Sequence, residues 1–144
     1  EMCIRDRLVP YLYHTACQSH QSGIPMIRPL VMEYPKDPIA KTQNLSYMLG
    51  DALLISPGFD RDEYELYLPE GRWQDIESKE VYEGMTFVHI ENKAFADGGT
   101  SLRVFQKEGT SIPLFAQKEV LHVPAQLWKQ EDLEFMIFQK KDVD

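Results

Sequence analysis

The chain has 144 residues, and its 15 Lys and Arg against 23 Asp and Glu give a formal net charge of −8. That length can bury roughly 68–70% of its unfolded surface as one domain, but it is too short for a complete (β/α)8 barrel of about 250 residues. With 43% hydrophobic and 26% charged residues the composition is that of an ordinary soluble globular protein. No apolar run approaches the ~18–20 residues of a membrane span, and the acidic balance argues against a phosphate backbone as partner, so neither membrane nor nucleic acid is expected.

The first predicted element is a helix within Met2 to Ser22, where Ile4, Leu8, Tyr11, Leu12, Thr15 and Ala16 fall close to the spacing of a buried stripe. Pro10 lies inside it, so the helix either starts there or is kinked, and Gly23 before Ile24-Pro25 is a helix stop. On one helix Cys3 and Cys17 would stand about 21 Å apart at 1.5 Å per residue, too far for a disulfide. Two unbridged cysteines lean toward a reducing, cytoplasmic setting. No secretory signal pattern opens the chain, and a start on Glu1-Met2 reads as the tail of something longer.

Met26 to Met32 is nearly continuous in apolar residues and predicts a strand covered on both sides. Pro29 requires that strand to be irregular or to end early, and Arg28 must be paired or reach a wet cavity. Tyr34 to Thr42 reads as a polar loop, Leu45 to Leu49 as a short apolar turn or helix ended by Gly50, and Leu53-Leu54-Ile55 as a second compact strand.

After Pro57 the texture becomes antiparallel β. Glu63 to Leu68 alternates, with Tyr64, Leu66 and Leu68 on one face. Leu68-Pro69-Glu70-Gly71 carries type I turn chemistry, and Arg72 to Ile76 resumes as a strand. Thr86 to Ile90, Leu102 to Gln106, Ser111 to Phe115 and Leu133 to Phe138 follow, punctuated by Gly84, Gly98-Gly99 and Gly109. Short strands with turns at such spacing indicate a sandwich or barrel.

Chemistry-bearing patterns are sparse. Carboxylate pairs such as Asp60/Asp62 and Glu77/Glu80 read as solvated loops, since nothing around them signals burial. Asp60-Arg61-Asp62 lacks the Gly and terminal Glu of a calcium loop. His14 and Cys17 have helical i, i+3 spacing but no second ligand pair. His89 and His122 read as strand residues between apolar neighbours, and Asn44-Leu45-Ser46 fits a glycosylation sequon. Trp73 and Trp128 suit either a core or a sugar-stacking platform. No nucleophile elbow, phosphate loop or dinucleotide fingerprint occurs, so no metal site and no cofactor is expected.

Five landmarks follow one another in order: Ile4-Arg5-Asp6-Arg7-Leu8-Val9-Pro10-Tyr11-Leu12-Tyr13, Gly23-Ile24-Pro25-Met26-Ile27-Arg28-Pro29-Leu30, Tyr47-Met48-Leu49-Gly50-Asp51-Ala52-Leu53-Leu54-Ile55-Ser56-Pro57, Tyr67-Leu68-Pro69-Glu70-Gly71-Arg72-Trp73-Gln74-Asp75 and Val104-Phe105-Gln106-Lys107-Glu108-Gly109-Thr110-Ser111-Ile112-Pro113-Leu114. The series resembles the C-terminal stretch of glycoside hydrolase family 31, the α-glucosidase and α-xylosidase group. It departs from that family's pattern at Asn44-Leu45-Ser46, at Asp6 and in the Gly-rich stretch from Phe95 to Ser101.

The resemblance implies an α+β, mainly β fold: residues 1–52 the last helix and strand of a (β/α)8 barrel, residues 53–144 a proximal antiparallel β-sandwich. It implies a retaining glycosidase acting on α-glucosides or α-xylosides, whose nucleophile and acid/base aspartates lie ahead of Glu1. No residue of this chain then inherits a catalytic role, and the chain alone is expected to be inactive. Arg28 and Glu33 are the candidates for the pocket rim, Glu33 either lining the mouth or salt-bridging to loops. The oligosaccharide or α-glycoside partner would be met through the barrel. The other reading open at this point is a non-catalytic β-sandwich module that binds carbohydrate or protein.

Overall fold

The computed structural model describes residues 4–59, 61–91 and 102–141, apart from the side chains of Lys118 and Glu119. Cys3, Asp60 with the readings built on it, and the Phe95–Ser101 stretch lie outside the described residues. The protein is mainly β, with short helices and antiparallel strand pairs throughout. No described helix is long and apolar enough to cross a membrane. By internal contacts the chain forms two compact units, one running to Met26 and resuming over Ser111–Ile137, the other over Ile27–Thr110 and from Phe138 onward.

In the first unit α1 (Ile4–Arg7) is separated from α2 (Val9–Ser22) by Leu8. Pro10 falls in the first turn of α2, where its missing N–H costs nothing. The left-handed Gly23 (φ 77°) closes the helix by donating its N–H to the Ser19 carbonyl. Leu8, Tyr11 and Thr15 are buried as the stripe predicts, whereas Ala16 is exposed. The same unit holds most of β9 (Thr110–Phe115) paired with β10 (Leu133–Phe138), joined through short 3-10 turns. Trp128 is wedged edge-on against Tyr13 and Phe115, with ring centroids 5.4 and 5.1 Å away, and donates its Nε1–H to the Val123 carbonyl.

The second unit begins with β1 (Ile27–Pro29), which stops at Pro29 and passes into the one-turn helix α3 (Leu30–Glu33). Proline has no N–H to continue a ladder, so the apolar run to Met32 divides between strand and helix. Ile27 is 59% exposed, so the strand is not covered on both sides as its composition predicts. Tyr47 to Leu49 forms strand β2 rather than a turn or helix, because it pairs with β3 (Leu53–Pro57) in a hairpin turned by Gly50 at φ 66°. The hairpin spans the sequence position at which the sandwich was expected to begin.

β4 (Glu63–Leu68), β5 (Arg72–Asp75), β6 (Val81–Glu83), β7 (Thr86–Glu91) and β8 (Leu102–Lys107) complete this unit. One sheet has the order β1-β2-β3-β8-β5-β6, and β4 and β7 form a second, two-stranded sheet. Their inner faces share one core, in which Met48, Leu54, Trp73 and Phe105 from the larger sheet, together with Leu30 of α3, meet Tyr64, Leu66, Leu68 and Ile90 from the smaller. This is the layered packing of a β-sandwich. At the β6–β7 turn a Cβ on Gly84 would collide with the Pro69 and Gly71 carbonyls, so glycine is required for that close approach.

Candidate functional site

Arg28 occupies the middle of β1, opposite Met48, and is 5% exposed. Its guanidinium donates to Glu33 Oε1 at 2.9 Å and to Asp51 Oδ1 at 2.6 Å. Glu33 arrives at the end of α3 because the chain turns helical straight after Pro29, and Asp51 arrives in the β2–β3 loop. Burial pulls the Arg28 pKa down, but the hydrogen bonds and charges of Asp51 and Glu33 outweigh it and hold it above the ordinary arginine value. The buried cation that the sequence required to be paired is therefore paired with both Glu33 and Asp51.

Glu33 also lines a cavity of about 420 Å³ whose wall is the Glu33–Pro38 segment, closed by Glu70 and Met85. Glu33, Asp37, Glu70 and Lys36 share the lining with Tyr34, two prolines and a methionine. Such a mixture offers acceptors for hydroxyl groups beside apolar surface, the combination that small polar ligands require. Tyr34 Oη is buried and finds no hydrogen-bond partner among the described residues. Desolvation, reinforced by the charges of Glu33 and Glu70, pushes its pKa well up, so the phenol keeps its proton. Met85 is 70% exposed and held in the left-handed region (φ 59°) by its N–H bond to the Leu68 carbonyl.

Asp37 fixes the far side of the loop. It accepts from the Tyr67 hydroxyl at 2.6 Å and from the backbone N–H groups of Ile39 and Ala40 at 2.9 and 3.3 Å. Desolvation raises its pKa, but these three donors outweigh it and leave the carboxyl below its usual range. Burial, and then the bond to Asp37, push Tyr67 up to about 12.

The other sequence candidates are not drawn into this cavity. His14 and Cys17 lie exposed on α2, and Glu77 and Glu80 are exposed. His122 is exposed at the end of a 3-10 turn rather than sitting on a strand. Trp73 is fully buried and donates its Nε1–H to the Pro69 carbonyl at 2.8 Å, whereas Trp128 is half-buried in the other unit. Sequence reasoning missed Tyr34 and Asp37, which follow Glu33 in the same loop, and Glu70 and Met85, which the β4–β5 and β6–β7 turns bring beside it.

The model of the family described as "Glycosyl hydrolase family 31 C-terminal domain" matches residues 23–119. The chain belongs to glycosyl hydrolase family 31. It is 35% identical over 113 residues to neutral alpha-glucosidase AB of Homo sapiens, covering 76% of this chain and 11% of that protein. Among solved structures it is similar to a cycloalternan-forming enzyme from Listeria monocytogenes in complex with a pentasaccharide substrate, at TM-score 0.77 and 34% identity over 94% of this chain and 13% of that one. It is also similar to a Flavobacterium johnsoniae GH31 dextranase complexed with glucose, at TM-score 0.74 and 26% identity over 96% of this chain and 16% of that one. The family 31 match contains the whole Arg28–Glu33–Asp51 cluster and every residue lining the cavity. The chain thus spans about a tenth of the human relative's length.

Proposed function

We propose that the chain is the C-terminal part of a retaining α-glycosidase that hydrolyses O-glycosyl bonds of α-glucosides or α-xylosides. The observation that carries this reading is the family match over residues 23–119. Residues 1–52 are the end of the catalytic barrel and residues 53–144 the proximal sandwich that supports it. Retaining hydrolysis needs two carboxyl groups about 5–5.5 Å apart across the sugar, one as nucleophile and one as acid/base. Both belong to the preceding part of the parent protein, so the chain by itself performs no turnover.

Within that reading Arg28 and Glu33 belong to the rim of the substrate pocket. Arg28 positions Glu33 through the 2.9 Å bond, and Glu33 presents the cavity-facing carboxylate. A carboxylate held in this way accepts hydrogen bonds from sugar hydroxyls.

The test is an assay of the purified chain against nitrophenyl α-glucoside and α-xyloside. No turnover is expected, and turnover that persists through purification overturns the proposal. The coding sequence upstream of Glu1 supplies the second check: several hundred residues with a W-x-D-M-x-E-like segment are expected there, and their absence defeats the parent-enzyme reading.

A further inference from the structure

Strands β4 and β7 bring a histidine and three carboxylates together on the solvent face of the smaller sheet, away from the cavity. In β4 the core takes Tyr64 and Leu66, so Glu63 and Glu65 project outward. The antiparallel register sets Glu65 opposite His89 and Glu63 opposite Glu91. All four are exposed. His89 Nδ1 lies 2.7 Å from Glu65 Oε1, and its Nε2 lies 3.9 Å from an oxygen of each of Glu63 and Glu91.

The two ring nitrogens are in different situations. An ionised carboxylate only accepts, so in the neutral ring the bond to Glu65 places the proton on Nδ1. Nε2 then carries the lone pair and has two carboxylate oxygens from different strands 3.9 Å away. A carboxylate behind one ring nitrogen and open ligand space before the other is the arrangement by which metal-binding histidines are oriented. Ligand atoms of Glu63, His89 and Glu91 all lie within 4.8 Å of one another. A zinc ion takes N and O ligands at about 2.0–2.2 Å, so side-chain rotations of about half an ångström would close the three around one ion.

We propose that Glu63, His89 and Glu91 form a binding site for a divalent transition cation of the zinc class, with Glu65 orienting the imidazole and water completing the shell. One nitrogen and two oxygens suit such a borderline ion better than calcium or magnesium, which favour all-oxygen shells. The ion would tie β4 to β7 through side chains as well as through the ladder. This inference rests on the two-stranded sheet alone and is independent of the glycosidase reading.

The experiment is isothermal titration of the 144-residue chain with zinc chloride at neutral pH, repeated with calcium chloride and with the variants His89→Ala, Glu65→Gln and Cys17→Ser. Circular dichroism checks that each variant is folded. Expected are one saturable zinc equivalent, calcium at least about tenfold weaker, loss of that binding in His89→Ala, and weakening of about 10–100-fold in Glu65→Gln. Cys17→Ser should leave binding unchanged. Absence of saturable binding up to about 1 mM zinc, far above the dissociation constants of structural zinc sites, overturns the proposal. So does zinc binding that survives in His89→Ala or disappears in Cys17→Ser.

Discussion

Arg28 gives the sharpest test of how the cluster beneath Glu33 works, because its two partners differ in exposure. The guanidinium side chain is 6% exposed, Glu33 30% and Asp51 67%. Arg28→Met keeps an apolar stem in the strand and leaves behind two carboxylates that water can reach. It removes one partly buried and one largely solvent-screened ionic hydrogen bond, a loss of about 1–2 kcal/mol. The double change Glu33→Gln with Asp51→Asn does the reverse, leaving a cation buried beside neutral amides. Stranding a buried charge costs about 3–5 kcal/mol. The lower end, about 3, applies here because Asp51 already stands mostly in water. Urea unfolding followed by far-UV circular dichroism should therefore rank the double variant below Arg28→Met by about 1–2 kcal/mol, a midpoint difference of about 0.5–1 M at a slope near 2 kcal/mol/M. The reasoning fails if Arg28→Met is the less stable of the two. The desolvated cation would then not be the element that needs its partners.

Tyr67→Phe removes one donor from Asp37 and should cost about 1–2 kcal/mol at neutral pH. Asp37 has a depressed folded pKa, so its contribution is present above the unfolded value of about 4 and is lost as pH falls through the lower folded one. The wild-type advantage over Tyr67→Phe should accordingly shrink in urea melts taken below about pH 4, and a gap that widens in acid refutes it. Tyr67 itself is raised to about 12, so its contribution is complete below the unfolded value of about 10 and is lost as pH rises through about 12. In the core, Trp73→Phe gives up indole contacts and the bond to the Pro69 carbonyl, at about 2–3 kcal/mol. Its tryptophan emission should shift to the red, because only the half-buried Trp128 remains; unchanged emission contradicts the burial of Trp73.

The sandwich strands were legible because their signal is local. Glu63 to Leu68 alternates, and its core face is Tyr64, Leu66 and Leu68 in the structure as in the pattern. The β2 strand was not legible for the opposite reason. Tyr47 to Leu49 is too short to show a period, and it is a strand because Ile27 to Pro29 and Leu53 to Ile55 pair with it on either side. Gly50 accordingly serves as the left-handed residue of a hairpin, although the same glycine after a short apolar run also reads as a helix terminator. Val81–Glu83 escaped notice likewise, since its strand character comes from pairing with β5.

The candidate site divides along the same line. A buried arginine in an apolar run is a local observation, and its need for a counter-charge follows from desolvation alone. Which carboxylates answer it depends on chain geometry: Glu33 needs the helical turn forced by Pro29, and Asp51 needs the hairpin. Glu33 combines an ion pair with a place in the cavity wall. One oxygen accepts from Arg28 while the residue lines the cavity, and the ion pair is what fixes the carboxylate there. The His89 cluster shows the same limit from the other side. Four polar residues on two alternating strands predict only a wet face, and it takes the Glu65–His89 register to set one ring nitrogen against a carboxylate and turn the other toward two more. Composition places charge on a face, but pairing decides whether that face can hold an ion.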